Sequence, residues 1–218
     1  MSLPSKVDVL VVGAGPAGLA AATELAGHWN VLVVDREGAA GGIPRHCGHY
    51  PFGMREFHRL MKGSDYAKAL VARAEAAGVQ LALNVNVIAL HSGPSVTVTA
   101  DGGVSTITAR RVLLATGVRE SSRAQRLIGG TKPGGVLSTG ALQGLVYLEG
   151  SKPFRRPVIL GTELVSFSAI LTLRHAGIAP VAMIEEAGRI TARRPGDWIA
   201  RAVFGVPVRT VIPSSDGS

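Results

Sequence analysis

Cysteine is almost absent from this sequence of 218 residues, since Cys47 is the only one. A single thiol excludes an intramolecular disulfide framework and an all-cysteine metal cluster, and it suits a cytoplasmic protein. Aromatic residues make up only 5% of the chain, which leaves little for the stacking platforms of nucleic-acid-binding proteins. Charged residues make up only 17% and hydrophobic residues 46%, which excludes a disordered chain and predicts a sizeable core.

Two further absences bear on the partners of the protein. The formal net charge is +8, but the basic residues occur as scattered pairs such as Arg110-Arg111 and Arg155-Arg156. No run reaches the roughly five to eight residues of a basic patch, so we expect no nucleic-acid partner. The longest stretch of low polarity runs from Val9 to Ala22. It is shorter than the roughly 18 residues that a membrane helix needs, so we expect no membrane association.

The first 35 residues predict a strand, a glycine-rich turn, a helix and a second strand. The apolar run Val7–Val12 is typical of a buried parallel strand, Leu19–Ala26 of a helix and Val31–Val34 of a second buried strand. Between the first strand and the helix lies a G-x-G-x-x-G turn. Its six residues are Gly13, Ala14, Gly15, Pro16, Ala17 and Gly18.

The spacing of the glycines has a physical logic. Gly13 permits a tight turn, Gly15 permits close approach of a pyrophosphate, and Gly18 permits close packing of the helix on the sheet. The helix N-terminus then faces the phosphate charge. Asp35 lies 22 residues after Gly13, at the end of the second strand, where a carboxylate binds ribose hydroxyls. The pattern predicts a dinucleotide site and, by itself, leaves NAD and FAD open.

Two later signals favour FAD. Gly41-Gly42 follow Asp35 closely, and the stretch Thr106–Gly117 holds an apolar strand, Val112–Ala115, that ends in Ala-Thr-Gly. With both in this order, the chain resembles the two-dinucleotide-binding-domain flavoproteins, the glutathione-reductase-like or pyridine nucleotide-disulfide oxidoreductase-like enzymes. In that family the first turn binds the ADP part of FAD, and the Ala-Thr-Gly motif recurs where the chain returns from a small β-meander.

The resemblance implies an α/β fold of the Rossmann-like FAD/NAD(P)-binding type, with three layers, a parallel sheet and a β-meander at about residues 79–108. It implies an FAD-binding domain over residues 1–150 and a partial, degenerate NAD(P)-binding-like domain over residues 151–218. We expect a helix over Ser64–Ala77, capped by Ser64-Asp65. In the meander we expect short strands that include Val104–Thr108, which follows a hairpin at Asp101-Gly102-Gly103. The implied FAD contacts, besides the six turn residues, are Asp35, Arg36, Gly42, Arg45, Val87, Ala115, Thr116 and Gly117.

The segment from Gly41 to Phe57 lacks regular periodicity and is predicted to be a loop. Disulfide reductases of the family carry a redox cysteine pair near this position, so a lone Cys47 puts dithiol chemistry in doubt. His46, Cys47 and His49 lie too close in sequence for a tetrahedral metal site, and we predict no metal. They are weak catalytic candidates by residue type alone, and contacts along the flavin are the favoured interpretation. No general base is assigned.

A second strand–helix–strand unit is predicted at Pro157–Leu160, Glu163–His175 and Pro180–Ile184. Here Glu163 and Ser166 replace the second and third glycines of the turn. A glutamate at a pyrophosphate position adds bulk and like-charge repulsion, which disfavours a normal NAD(P)H site.

The 41–57 loop, Arg119-Glu120 and Ser138–Tyr147 are similar to one branch of the family, the FAD-containing subunits grouped with hydrogen cyanide synthase, opine oxidase and amino-acid dehydrogenases. This similarity implies an FAD-dependent oxidoreductase acting on a small amine, imine or amino acid, with electrons leaving through partner subunits.

The family's strand ending in Gly-Asp, which contacts the flavin ribityl phosphate, has no counterpart in the sequence. Gly196-Asp197 has no apolar strand before it. We therefore expect the N-terminal part of a longer flavoprotein, completed by a missing C-terminal half or by a partner subunit. The alternatives are an FAD-binding accessory subunit without turnover of its own and an NAD(P)-dependent reductase.

Overall fold

The computed structural model describes residues 3–131, 134–187, 191 and 207–210. The chain divides into two compact units, Met1–Arg119 and Glu120–Ser218. The expected domain limits, 1–150 and 151–218, are defined by nucleotide binding and stay a prediction. Gly196-Asp197 lies outside the described residues.

The first unit contains a six-stranded sheet and its connecting helices. The strands are β1 (Lys6–Val12), β2 (Val31–Val34), β3 (Gln80–Ala82), β4 (Asn86–His91), β5 (Ser95–Ala100) and β6 (Gly103–Leu114). The helices are α1 (Pro16–Ala26), a 3₁₀ helix (Ile43–His46), α2 (Met54–Phe57) and α3 (Gly63–Ala76).

The sheet combines a parallel part and an antiparallel part in the order β3-β2-β1-β6-β5-β4. β1 pairs in parallel with both β2 and β6, whereas β5 pairs antiparallel to both β4 and β6. Two separate strands were expected over Val104–Thr108 and Val112–Ala115, and that expectation is wrong. β6 is one strand of 12 residues, because the intervening Arg110-Arg111 stays in the ladder with both side chains exposed to solvent.

Apolar side chains pack on both faces of the parallel strands, as their nearly continuous hydrophobic sequences require. One face packs against α1 and α3, and its buried residues include Val11, Leu19 and Leu70. The other face packs against the meander, with Leu10 and Val98 fully buried. The predicted three-layer α/β architecture with a parallel sheet and a β-meander is confirmed.

Several boundaries differ from the expectations. The meander is β4-β5-β6 and starts at Asn86 rather than near residue 79, because β3 pairs in parallel with β2. α1 begins at Pro16 rather than Leu19, since proline fits the first helical position. The N-cap of α3 is Lys62 without a side-chain hydrogen bond, so Ser64-Asp65 does not cap it. The predicted hairpin is confirmed by the pairing of Ala100 with Gly103.

The 41–57 loop carries more regular structure than its sequence suggests. It includes the 3₁₀ helix and α2, and the peptide bond Tyr50-Pro51 is cis. The 3₁₀ helix packs closely on the start of α3, where a Cβ on Gly63 would lie 2.6 Å from the Cβ of Cys47.

The second unit contains a parallel sheet in the order β7-β8-β9. Its elements are α4 (Thr139–Gln143), a π-helical turn (Gly144–Leu148), β7 (Val158–Leu160), α5 (Leu164–His175), β8 (Ala182–Glu185) and β9 (Val208–Thr210). Its core joins α5 to the sheet and to α4 through buried residues that include Ile170, Met183 and Leu142. None of the helices in the described part of the chain is long and apolar enough to cross a bilayer.

Candidate nucleotide-binding site

The glycine-rich turn of the first unit lies where three parallel strands end. The N–H of Gly13 donates to the carbonyl of Val34 at 2.8 Å, and the N–H of Ala115 donates to the carbonyl of Val12 at 2.8 Å. The turn therefore joins the carboxyl ends of β1, β2 and β6. In open α/β sheets, ligands bind at the carboxyl ends of the strands.

Two of the three glycines are required by packing. Gly13 has φ +110°, and a Cβ there would overlap the carbonyl oxygen of Ala115. A Cβ on Gly18 would overlap the carbonyl oxygen of Gly13 and lie 3.3 Å from the Cβ of Ala115. Any side chain at either position would push α1 away from the end of β6.

Gly15 differs from both, because the nearest atom to a Cβ placed on it is the Cα of Gly42, at 4.0 Å. Gly15 is the N-cap of α1, and the first turn of α1 has no acidic side chain. Backbone N–H groups in the first turn of a helix have no acceptor within the helix, and the helix dipole favours an anion there. The space and the donors at Gly15 thus fit the pyrophosphate of a dinucleotide.

The loop after β2 is fastened to this turn. The N–H of Gly41 donates to the carbonyl of Ala14 at 2.8 Å. Gly42 has φ +60°, and a Cβ on it would lie 2.8 Å from the Cα of Gly15. The guanidinium of Arg45 donates to the carbonyl of Ala39 at 2.9 Å and steadies the same loop. Gly41 was not among the predicted contacts, although the pair of adjacent glycines was the signal for it.

Asp35 braces the turn from the end of β2. One carboxylate oxygen accepts a hydrogen bond from the N–H of Ala14 at 2.6 Å, and the other accepts one from the N–H of Glu37 at 2.9 Å. A carboxylate has about four acceptor sites, so two remain for ribose hydroxyls. The ribose role of Asp35 stays a prediction.

Some of the other predicted FAD contacts lie beside the glycine-rich turn, and two have different surroundings. Ala115 and Thr116 lie beside Gly13, since a Cβ on Gly13 would be 3.4 Å from the nitrogen of Thr116. Gly117 follows with φ +73° and is exposed. Two others point to different surroundings: Arg36 is exposed and pairs with Glu37, and Val87 packs against the core on the meander side.

The three weak catalytic candidates lie in the 41–57 loop in different surroundings. Cys47 is buried, its thiol donates to the carbonyl of Ile43 at 3.5 Å, and burial raises its pKa. A raised pKa keeps the thiol protonated, which does not suit a nucleophile. His46 is half-buried at the end of the 3₁₀ helix, and the ring of His49 lies 5.6 Å from that of Phe52. The raised pKa argues against a nucleophilic role for Cys47, and the catalytic candidacy of His46 and His49 stays a prediction.

The turn of the second unit follows the same backbone plan. Gly161 has φ +96°, and its N–H donates to the carbonyl of Ile184 at 2.8 Å, as Gly13 does to Val34. Glu185 ends β8 and corresponds to Asp35. It is buried and accepts hydrogen bonds from the Thr162 hydroxyl and from the N–H of Ala187. Burial alone would raise the pKa of Glu185, but these hydrogen bonds, together with those from Thr191 and the Thr162 backbone, lower it overall.

Glu163 holds the position that corresponds to Gly15. Its carboxylate lies over Gly161, overlapping the place of a Cβ there. One of its oxygens accepts a hydrogen bond from Arg126 at 3.3 Å, and the other accepts one from the Ser166 hydroxyl at 3.3 Å. Arg126 lies 37 residues before Glu163, outside any motif, so sequence reasoning had no signal for this pair.

Comparison with known proteins agrees with this geometry. The sequence pattern of the pyridine nucleotide-disulphide oxidoreductase family matches residues 7–203. The chain is 31% identical over 183 residues to an opine oxidase subunit of Rhizobium meliloti (strain 1021), covering 83% of this chain and 39% of that protein.

Two solved structures share the fold. L-proline dehydrogenase from P. horikoshii matches with a TM-score of 0.70 and 23% identity, over 86% of this chain and 37% of the other. Thioredoxin reductase from T. acidophilum matches with a TM-score of 0.68 and 20% identity, over 95% of this chain and 64% of the other.

The chain therefore belongs to the pyridine nucleotide-disulphide oxidoreductase family. The family and fold class predicted from the sequence are confirmed. The chain spans about two fifths of the length of the opine oxidase subunit that it matches.

Proposed function

We propose that the first unit binds FAD and that this chain is the FAD-binding part of an FAD-dependent oxidoreductase. The observation that carries the proposal is the open approach at Gly15, between the start of α1 and Gly42. The neighbouring glycines are held closed by packing, so the opening at Gly15 is selective rather than a general looseness of the turn.

Each residue of the turn has a proposed task. The N–H groups at the start of α1 receive the pyrophosphate, and Asp35 receives the adenosine ribose while it braces Ala14. The hydrogen bond from the N–H of Gly41 to the carbonyl of Ala14 supports FAD over NAD(P), because it adds the loop that follows Asp35 to the nucleotide site. Bound FAD would supply the chemistry of hydride acceptance, and the residues of this turn would bind and orient the cofactor.

We propose a small amine or amino-acid-like compound as the donor. The support is the relationship to a protein named as one subunit of an opine oxidase. That relative is matched over only 39% of its length. We therefore propose that turnover requires a partner subunit or further protein. The same coverage favours the second candidate, an FAD-binding subunit without turnover of its own.

Titration with FAD tests the cofactor assignment. The purified chain is mixed with FAD, FMN and NADH in turn, and binding is followed by the absorbance and fluorescence of each. We expect FAD to bind, and Gly15→Val to weaken that binding at least about 100-fold, or about 2.7 kcal/mol. Gly27→Val is the matched control, because Gly27 ends the same helix with nothing within 4 Å of an added Cβ.

The result against the proposal is equally clear. A folded chain that does not bind FAD, or that binds NADH at Gly15 in its place, overturns it. Where FAD binds, small amines and amino acids are added anaerobically. Bleaching of the flavin by the chain alone supports catalysis without a partner, whereas bleaching only in the presence of a partner protein supports the accessory role.

A further inference from the structure

We infer that Glu163 closes the second unit to dinucleotides, because it places a side chain and a carboxylate on the turn at the position that is the open Gly15 in the first unit. Glu163 is thus a specificity-determining residue. Together with the proposed function, on which this last step rests, the inference means that no nicotinamide dinucleotide held by the second unit exchanges hydride with the flavin.

The equivalence of the two turns is set by hydrogen bonds as well as by spacing. Gly161 and Gly13 both have positive φ and both donate to the last residues of the next parallel strand. One residue later, the N–H of Ala14 donates to Asp35, which directly follows β2, and the hydroxyl of Thr162 donates to Glu185, which ends β8. The residue after that is Gly15 in the first unit and Glu163 in the second.

The space at the second turn is taken. The carboxylate of Glu163 reaches back over Gly161 and overlaps the volume of a Cβ there. The first unit has no side chain at the position of Glu163, because Gly15 stands there and even an added Cβ would have no atom closer than 4.0 Å. A pyrophosphate that approaches the second turn therefore meets a side chain, where in the first turn it meets backbone.

The donors near the second turn that could bind a phosphate also interact with Glu163. Glu163 is the N-cap of α5, a helix of 12 residues, so its negative charge lies near the positive end of the helix dipole, although its carboxylate makes no capping hydrogen bond. The Ser166 hydroxyl and the Arg126 guanidinium, which could otherwise bind phosphate, both donate to Glu163. A phosphate would be repelled by the carboxylate and would have to displace it from these donors.

The test is the binding of NADH and NADPH to variants of Glu163. We expect the wild-type chain to show no saturable binding at the second unit up to about 1 mM. Glu163→Gly should bind at least about tenfold more tightly. Glu163→Gln keeps the bulk and removes the charge, so it should gain less than Glu163→Gly. Glu149→Gly, which removes an exposed glutamate from the same unit, is the control for net charge.

Each protein is also made with Gly15→Val, so that binding at the first unit is strongly weakened. Binding gained by Glu163→Gly must survive in this background. The inference is overturned by wild-type NADH binding that Gly15→Val leaves unchanged, or by a folded Glu163→Gly variant that binds no more tightly than wild type.

Titration with FAD in the same set separates the two proposals. If the wild-type chain does not bind FAD while the Glu163 variants bind NADH in the expected pattern, the proposed function alone is refuted. FAD binding without that pattern refutes the inference alone. Circular dichroism and thermal melting establish that each variant is folded.

Discussion

The two strand–turn–helix–strand units share a backbone plan and differ in what occupies the turn. In the first, Gly13 and Gly18 are packed against backbone and Gly15 is open. In the second, Glu163 stands at the position that corresponds to Gly15, and its carboxylate lies over Gly161 and accepts a hydrogen bond from the Ser166 hydroxyl. The comparison shows that the three glycines of the turn do not have one task. Two of them let the helix pack on the sheet, and one keeps space for a ligand.

The largest expected effect comes from giving the first unit the serine of the second. Gly18→Ser places a Cβ into the carbonyl oxygen of Gly13 and close to Ala115, neither of which can move without shifting β1 or β6. We expect a loss of about 3 kcal/mol in the free energy of unfolding. Urea denaturation followed by circular dichroism measures it.

The reciprocal change is the control for that result. Ser166→Gly removes a side chain that the second unit accommodates, so we expect a cost of about 1 kcal/mol, mainly from glycine within a helix. Equal costs for the two substitutions would contradict the assignment of Gly18 to packing.

The next effect is on binding and leaves the fold intact. Gly15→Glu copies the second unit into the open position of the first, where an added Cβ meets no atom closer than 4.0 Å. We expect the unfolding free energy to change little and FAD affinity to fall at least about 100-fold. Isothermal titration calorimetry measures the affinity. Undiminished FAD binding would place the pyrophosphate elsewhere.

The sequence predicted the parallel strands and the first turn well, because apolar runs and glycine spacing are local signals. It divided β6 in two, because Arg110-Arg111 interrupts the apolar run while the backbone ladder continues through both residues. It identified Glu163 as an obstacle and did not find Arg126, because a contact between residues 37 apart leaves no local pattern. The bracing of Ala14 by Asp35 was missed for the same reason, since 21 residues separate them.

A smaller effect on stability is expected at Glu185, the acid that ends β8 in the second unit. Thr162→Val removes a hydroxyl donor from the buried carboxylate of Glu185. At neutral pH we expect a loss of about 1–3 kcal/mol in the free energy of unfolding. Thr172→Val is the matched control, because the buried Thr172 hydroxyl donates to a backbone carbonyl, that of Ser168, which does not titrate.

The pH dependence distinguishes the two valine variants. The pKa of Glu185 is lower in the folded than in the unfolded chain, so its hydrogen bonds stabilise the fold fully above the unfolded pKa of about 4.3. That stabilisation is lost as the pH falls through the folded pKa. The cost of Thr162→Val should therefore shrink in acid, while that of Thr172→Val stays constant. A cost of Thr162→Val that does not depend on pH would remove Glu185 from the explanation.

The smallest expected effect concerns the ion pair of Arg126 with Glu163. Both side chains are partly exposed, at 59% and 41%, and such pairs contribute only about 0.2–1 kcal/mol. Arg126→Gln should lower the free energy of unfolding by about this much in low salt and by less in high salt. Arg73→Gln, which breaks the exposed pair with Glu24 in the first unit, should behave alike. NADH should remain excluded from the Arg126→Gln variant, because the glutamate still occupies the turn and still carries its charge. If this variant admits NADH as Glu163→Gly does, the closure of the second unit depends on Arg126 holding the glutamate in place, and the first unit stays open because it has neither residue.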